Sequence, residues 1–306
     1  MFKKIAIAVG LFLPALVLAM ADNPANKSEK SGSKASEAKV ALALIVRQPQ
    51  EVAKEKSHVK VKSTQELQDL CSEHGYSLDQ IEEVPRVIFS NFPKDLRKIK
   101  NVGMKKRLFI KILLPMILEA NEEILRERET LLHLRDKKLK GEQLSTPEMK
   151  FISDLAEKYK MKNAQDLDEM VNRVDIIPAS LALGQASIES GWGLSFAALN
   201  KNSPFGITVR DRVLFYQSLK ESVVYYMRNL NSHNAYKQMR NTRAQMRRAG
   251  KLPDGHTLIG DLLAYSEQRG VYIRKVRTSI RKNQLARYDS MQLANKRPVE
   301  SMKAQA

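Results

Sequence analysis

One cysteine, Cys71, stands in 306 residues, so no disulfide can form within the chain. His74 is close to it, but no second Cys/His pair supports a zinc site, and no metal or other cofactor is expected. A core thiol on a helix over Thr64–Glu73 is the better reading. Long hydrophobic runs are equally scarce. The one at the start, residues 5–18, is short for a membrane span, and the chain turns polar at Asp22. Lys3 and Lys4 precede it and Ala19-Met20-Ala21 follows, which outlines an export signal cleaved after Ala21. The product is then expected to be periplasmic or secreted; an uncleaved anchor is the alternative. No cysteine near the cleavage site argues against a lipoprotein. Acidic residues are short too, 34 against 52 Lys and Arg, a formal net charge of +18. A chain this basic suits an anionic partner. Nucleic acid is the first thought, above all for the run from Arg240 to Arg248, but an exported protein rarely meets DNA, so no nucleic acid is expected. For each arginine of that run the expectation is a solvated helix face.

What is present divides the chain into five stretches: a signal at 1–21, a flexible linker at 22–62, a helical region at 63–145, a main domain at 146–290 and a loose tail at 291–306. The linker is rich in Ser, Lys, Ala and Glu, with a short helical patch near 41–46. Ser63-Thr64-Gln65-Glu66 and Ser77-Leu78-Asp79-Gln80 both have the form of a capping box. Residues 104–139 repeat apolar side chains at helical spacing, with Pro115 expected to kink or break the helix and Gly141 to end it. Asn121 and Glu122 on that stretch are read as buried polar residues that fix helix packing. Further helices are expected from Thr146-Pro147, with Thr146 as cap, from near Asn163, with Asp166 in the first turn, and from Pro178 as first helical residue. A short hairpin is expected across Asp211, between residues 207–210 and 213–216. One helix ends at Arg247-Arg248-Ala249-Gly250, another starts at Asp254, and the last runs over 272–288.

The most informative stretch is Gln185-Ala186-Ser187-Ile188-Glu189-Ser190-Gly191-Trp192-Gly193. Gly191 is a plausible C-terminal stop, which puts Glu189 in the last turn above Gln185. There the carboxylate faces the negative end of the helix dipole and lies near the Trp192 ring. Both effects disfavour the anion, so its pKa should rise. A carboxylic acid that keeps its proton near neutral pH can donate it to a leaving group.

Gln-Ala-x-x-Glu-Ser-Gly-Trp-Gly resembles the signature of the bacterial glucosaminidase family of lysozyme-like peptidoglycan hydrolases. Within that family the Bax group of Gram-negative bacteria looks nearest. Asn202-Ser203-Pro204-Phe205-Gly206 resembles the family's Asn-rich turn ending in Phe-Gly, and Tyr216-Gln217-Ser218 with Glu221 its Tyr-x-Ser-x-x-Glu segment. Asn234-Ala235-Tyr236 and the late tyrosines Tyr265 and Tyr272 continue the match over about residues 146–290, and residues 109–126 resemble the Bax N-terminal helical region. Several motifs in order are more specific than any one of them. Where family members commonly have Arg-Phe-Ala after Trp-Gly-x-Ser, Ser195 is followed by Phe196-Ala197-Ala198, so the ring is displaced by one place.

The resemblance implies a mainly α, lysozyme-like helical domain with a small β-hairpin lobe, preceded by a helical N-terminal region. It implies cleavage of β-1,4 bonds after N-acetylglucosamine in cell-wall glycan strands, with Glu189 as general acid. Glycoside hydrolysis usually takes two carboxylates. Asp211 is the candidate for the second. Glu221 reads as a capping residue, Glu267 is a weaker candidate, and the substrate's own N-acetyl oxygen can replace a protein nucleophile. Gln185, Trp192, Phe205 and Tyr265 are expected to contact substrate, although Trp192 reads equally as a core plug, while Tyr216, Tyr236 and Tyr272 read as packing. Peptidoglycan strands, with their lactyl-peptide carboxylates, are the expected anionic partner, beside the anionic envelope surface. The rival readings are a lytic transglycosylase, disfavoured by Phe205-Gly206, and a non-catalytic glycan-binding protein.

Overall fold

The computed structural model describes residues 58–79 and 83–294. The expected signal, the helical patch near 41–46 and residues 295–306 of the expected tail lie outside them, as does the linker up to residue 57; the first tail residues are not loose, since Gln292–Leu293 form a strand. The last linker residues are folded: strand β1 (His58–Val59) pairs in parallel with β3 (Ile88–Phe89), and Val61 is buried.

Helix α1 (Thr64–Glu73) starts where its capping box predicts. The Ser63 hydroxyl accepts the Glu66 N–H at 3.1 Å, and the Glu66 carboxylate reaches back to the Lys62 N–H at 2.7 Å. Cys71 is buried on it, as expected. The second box opens no helix among the described residues. Asp79 instead turns its carboxylate to Arg107 in a two-point pair at 2.7 and 2.5 Å. Strand β2 (Glu83–Val84) follows.

Helix α2 (Val102–Leu139) runs 38 residues, and Pro115 does not interrupt it. An interior proline costs about 3 kcal/mol. All residues from Leu108 to Leu118 except Lys111 are buried. Each large apolar side chain buried contributes about 1.5–3 kcal/mol, so packing outweighs the missing hydrogen bond. Asn121 is buried on this helix and grips the backbone of Ile177 at both ends. Its Nδ2 donates to the Ile177 carbonyl at 2.8 Å, and its Oδ1 accepts the Ile177 N–H at 3.1 Å. Glu122 is less buried and holds Arg86 through two bonds at 2.9 and 3.0 Å. Replacing Asn121 by Ala leaves two buried backbone groups unpaired, each costing about 1–3 kcal/mol. We expect that variant to unfold about 2–4 kcal/mol more easily in a urea titration.

Helix α3 (Thr146–Lys158) is capped by Ser145, not Thr146. Asp166 caps α4 (Leu167–Arg173) rather than lying in its first turn. Pro178 keeps extended backbone, so α5 (Ala179–Ser190) begins one residue later than predicted. There follow α6 (Phe196–Lys201), the antiparallel hairpin β4 (Thr208–Val209) and β5 (Arg212–Val213), α7 (Leu219–Ser232) and α8 (Lys237–Arg248). Helices α9 (Gly255–Leu258) and α10 (Gly270–Lys282) precede β6 (Gln292–Leu293), which pairs in parallel with β2. The helix expected over 272–288 stops at Lys282. Gln284 takes left-handed backbone and a 3-10 turn, Leu285–Tyr288, bends the chain back. The bend delivers Asp289 to the start of α5, where it accepts the Ser180 N–H at 2.7 Å and the Ser180 hydroxyl at 2.6 Å. Burial pushes that carboxyl up to about 6.

The molecule is mainly helical, and α5 sits at its centre, packed on α10, α2, α9 and the Leu285–Tyr288 turn. Gly184 makes the closest of these contacts possible. A Cβ there would lie 2.9 Å from Ile280 Cγ1 and 3.2 Å from Val276 Cγ1. The described residues form a single unit, so the expected 63–145 and 146–290 regions share one core. No helix among the described residues is long and apolar enough to cross a membrane.

The basic run on α8 departs from expectation. Arg240 and Arg243 are buried, not solvated. Arg240 Nη1 donates to the carbonyls of Leu230 and His233, and Arg243 to those of Asn172, Asp175 and Ile176. These guanidinium groups close the ends of α4 and α7, where backbone carbonyls lack helical partners.

Candidate active site

Helix α5 ends in three successive left-handed residues, Gly191, Trp192 and Gly193, with φ of 56°, 63° and 82°. Such backbone costs a bulky residue like Trp about 1–2 kcal/mol. Ser190 holds the turn. Its hydroxyl donates to the Ala186 carbonyl at 2.6 Å and accepts the Gly193 N–H at 2.8 Å. The Ser190 carbonyl accepts from both Leu194 and Ser195.

This turn leaves Glu189 half-buried on the same face as Gln185, one helical turn below. The Phe205-Gly206 turn lies directly on the carboxyl. Gly206 has φ of 63°, and a Cβ there would stand 3.0 Å from Glu189 Oε2. Glycine is therefore required twice over, by conformation and by space. A chain of hydrogen bonds runs to the acid from behind. The Tyr226 hydroxyl donates to Gln185 Oε1 at 2.8 Å, Gln185 Nε2 donates to the Tyr272 hydroxyl at 2.9 Å, and Tyr272 bonds Glu189. Rings close the surroundings. Phe205 stacks on Tyr226 at 4.0 Å, and Tyr265 on Tyr272 at 5.6 Å. The Tyr265 hydroxyl donates to the Phe205 carbonyl at 3.2 Å.

Burial raises the Glu189 carboxyl above its ordinary value, and the Tyr272 hydrogen bond opposes the rise. The direction matches the sequence expectation, but the setting differs. The Trp192 ring faces α2, meeting the edge of Phe109 at 5.3 Å, with Lys106 Nζ 4.8 Å from its centroid. The tyrosines carry the apolar surroundings instead. Burial, with Glu189 next, pushes Tyr272 far above the usual phenol range, so it stays a donor at any physiological pH. Removing that donor with Tyr272→Phe should raise the Glu189 pKa further. If Glu189 serves as a general acid, which works only while protonated, the alkaline limb of the kcat profile moves to higher pH. A pH–rate titration of the purified variant reads this.

The sequence-predicted residues are thus distributed as follows. Glu189, Gln185, Phe205 and Tyr265 come together. Gln185 is fully buried and spends both ends of its amide on tyrosines, and Phe205 is buried as well, so both sit behind the acid. Asp211 lies exposed at the hairpin tip, where Arg210 and Asp211 have φ of 47° and 64°, the signature of a type I′ turn. Glu221 is a cap: it accepts the Gln217 N–H at 2.7 Å, and its own N–H donates to the Ser218 hydroxyl at 3.2 Å. Glu267 is exposed. The displaced ring, Phe196, is 66% exposed and takes no part in the core. Tyr216 and Tyr236 are buried packing residues, as expected. Tyr272 was expected to pack only, and its bond to Glu189 is the addition the structure makes. No sequence signal marked Tyr226. Among the described residues no group of three or more His, Cys, Asp or Glu side chains is placed to hold a metal.

Residues 164–285 match the model of the Glucosaminidase family, described as mannosyl-glycoprotein endo-beta-N-acetylglucosaminidase, and the chain belongs to that family. The match contains Glu189, Gly206, Tyr265 and Tyr272. Among named proteins, the chain is similar to Protein bax of Escherichia coli (strain K12). The two are 35% identical over 194 residues, covering 58% of this chain and 69% of that protein. No solved structure matches the chain.

Proposed function

We propose that the protein hydrolyses β-1,4 glycosidic bonds after N-acetylglucosamine in peptidoglycan strands, with Glu189 as the general acid. The observation that carries this is a half-buried carboxyl set between Gly206 and Tyr272, where burial raises its pKa. Protonated Glu189 gives its proton to the bridging oxygen as the bond to the sugar breaks. Tyr272 then stabilises the carboxylate left behind. Gln185 and Tyr226 position Tyr272, while Tyr265 offers a ring face to sugars. The second role falls to the substrate's N-acetyl oxygen, which leaves Glu189 as the sole essential protein acid; Asp211 is the alternative second carboxylate. The setting is the periplasm or cell exterior, after removal of residues 1–21.

Mass spectrometry of fragments released from purified sacculi tests this. Reducing N-acetylglucosamine ends are expected. Anhydro-muramic ends would establish a lytic transglycosylase instead, and binding without release a non-catalytic glycan-binding protein.

A further inference from the structure

A trough of about 450 Å3 lies between the end of α5, the outer face of α10 and α2. Its lining includes Lys106, Trp192, Arg274, Lys275 and Lys282, and no carboxylate. Arg274, Thr278 and Lys282 are spaced four apart and so share one face of α10. Lys106 and Lys275 bond only neutral partners, Asn283 and Gln268, each at 2.8 Å. Arg274 and Lys282 are exposed and form no ion pair among the described residues. Some cations elsewhere are paired, as in Lys137 with Glu148, Arg173 with Glu169 and Arg86 with Glu122, while others on open surface, such as Arg281, form no ion pair among the described residues. Here four positive charges line one concavity with no counter-charge. A concave cluster of one sign concentrates ligands of the other. Trp192 also lines the trough, its ring packed edge-on with Phe109.

The two helices that carry the acid and its tyrosine also wall the trough. Ile188, in its wall, precedes Glu189, and Val271, also in its wall, precedes Tyr272. We propose that it is a subsite for the carboxylate-bearing peptide that branches from the glycan strand next to the cleaved bond. This rests on the glycan-cleaving reading above. A peptide extends about 3.5 Å per residue, so a side peptide of a few residues anchored at the sugar reaches along the trough. Charge-assisted bonds from Arg274 and Lys282 would hold its carboxylates, and Trp192 would pack against its aliphatic parts.

The test uses the full chain with Arg274→Ala and Lys282→Ala combined, two exposed positions that fold does not depend on. Its kcat/KM is compared with wild type on glycan strands bearing their peptides and on strands stripped of peptides by an amidase. The ratio of the two is expected to fall roughly tenfold, the scale of one or two charge-assisted contacts. An unchanged ratio overturns the proposal. Binding of the isolated tetrapeptide, followed by NMR, reads the trough without cleavage: weaker binding by the double variant supports the subsite even if no strand is cut, and equal binding overturns it. Loss of binding to phosphatidylglycerol vesicles with peptide binding intact assigns the trough to lipid and likewise overturns it.

Discussion

Replacing Glu189 by Gln is expected to lower kcat on sacculi by about 100- to 10,000-fold, equivalent to about 3–5 kcal/mol of barrier. Gln is nearly isosteric and keeps an oxygen for Tyr272, so the surrounding hydrogen bonds survive and the protein should fold and bind as before. The loss should therefore appear in kcat, with KM little changed. Asp211→Asn is the companion. Asp211 stands at the exposed tip of β4–β5, and its loss is expected to cost no more than about tenfold if the sugar's own acetamide assists. A loss as deep as that of Glu189→Gln would make Asp211 the second catalytic carboxylate.

The second large effect is on stability. Asp175 is 2% exposed and faces three arginines: Arg247 at 2.7 Å, Arg128 at 3.7 Å and Arg243 at 3.8 Å. Arg243 itself is fully buried. Asp175→Ala strips its counter-charge, a change that typically costs about 3–5 kcal/mol. For a domain of this size that corresponds to a fall in Tm of about 6–20 °C, readable by calorimetry. The pH dependence follows. Burial works against the Asp175 anion, but the three arginines outweigh it and hold the carboxyl below the usual range. A depressed folded-state pKa contributes stability above the unfolded value, about 3.9, and that contribution disappears as pH falls through the lower folded value. The variant should thus lose less stability than wild type on acidification below about pH 4.

Local signals in the chain located the site better than they located its neighbours. Ser63 caps the helix its box predicts, Glu221 takes the expected capping part at the start of α7, and a helix starts at Asp254 as expected, because capping depends on residues three apart. Gly191 ends α5 as expected, for the same local reason. Three features depend on distant partners and could not be read this way. Pro115 passes unbroken because α2 is buried along that length. The α8 arginines point inward because carbonyls from α4 and α7 await them. The 272–288 helix is cut short because Asp289 has to reach Ser180, 109 residues away. The candidate acid was legible from Glu-Ser-Gly-Trp-Gly, but its control was not. Tyr226, Gln185, Tyr272 and Gly206 meet Glu189 only after α5, α7 and α10 pack. Trp192, adjacent in sequence, turns to α2 instead.

The account depends on Glu189 holding its proton above the range of a free glutamate, and a carboxyl-carbon NMR titration measures that directly. With 13C-labelled glutamate, and the Glu189 resonance assigned by its absence in Glu189→Gln, the account predicts a midpoint above the ordinary value of about 4.3. It predicts a still higher midpoint in Tyr272→Phe. A midpoint at or below the ordinary value would leave the side chain ionised near neutral pH and would contradict the proposed role as proton donor.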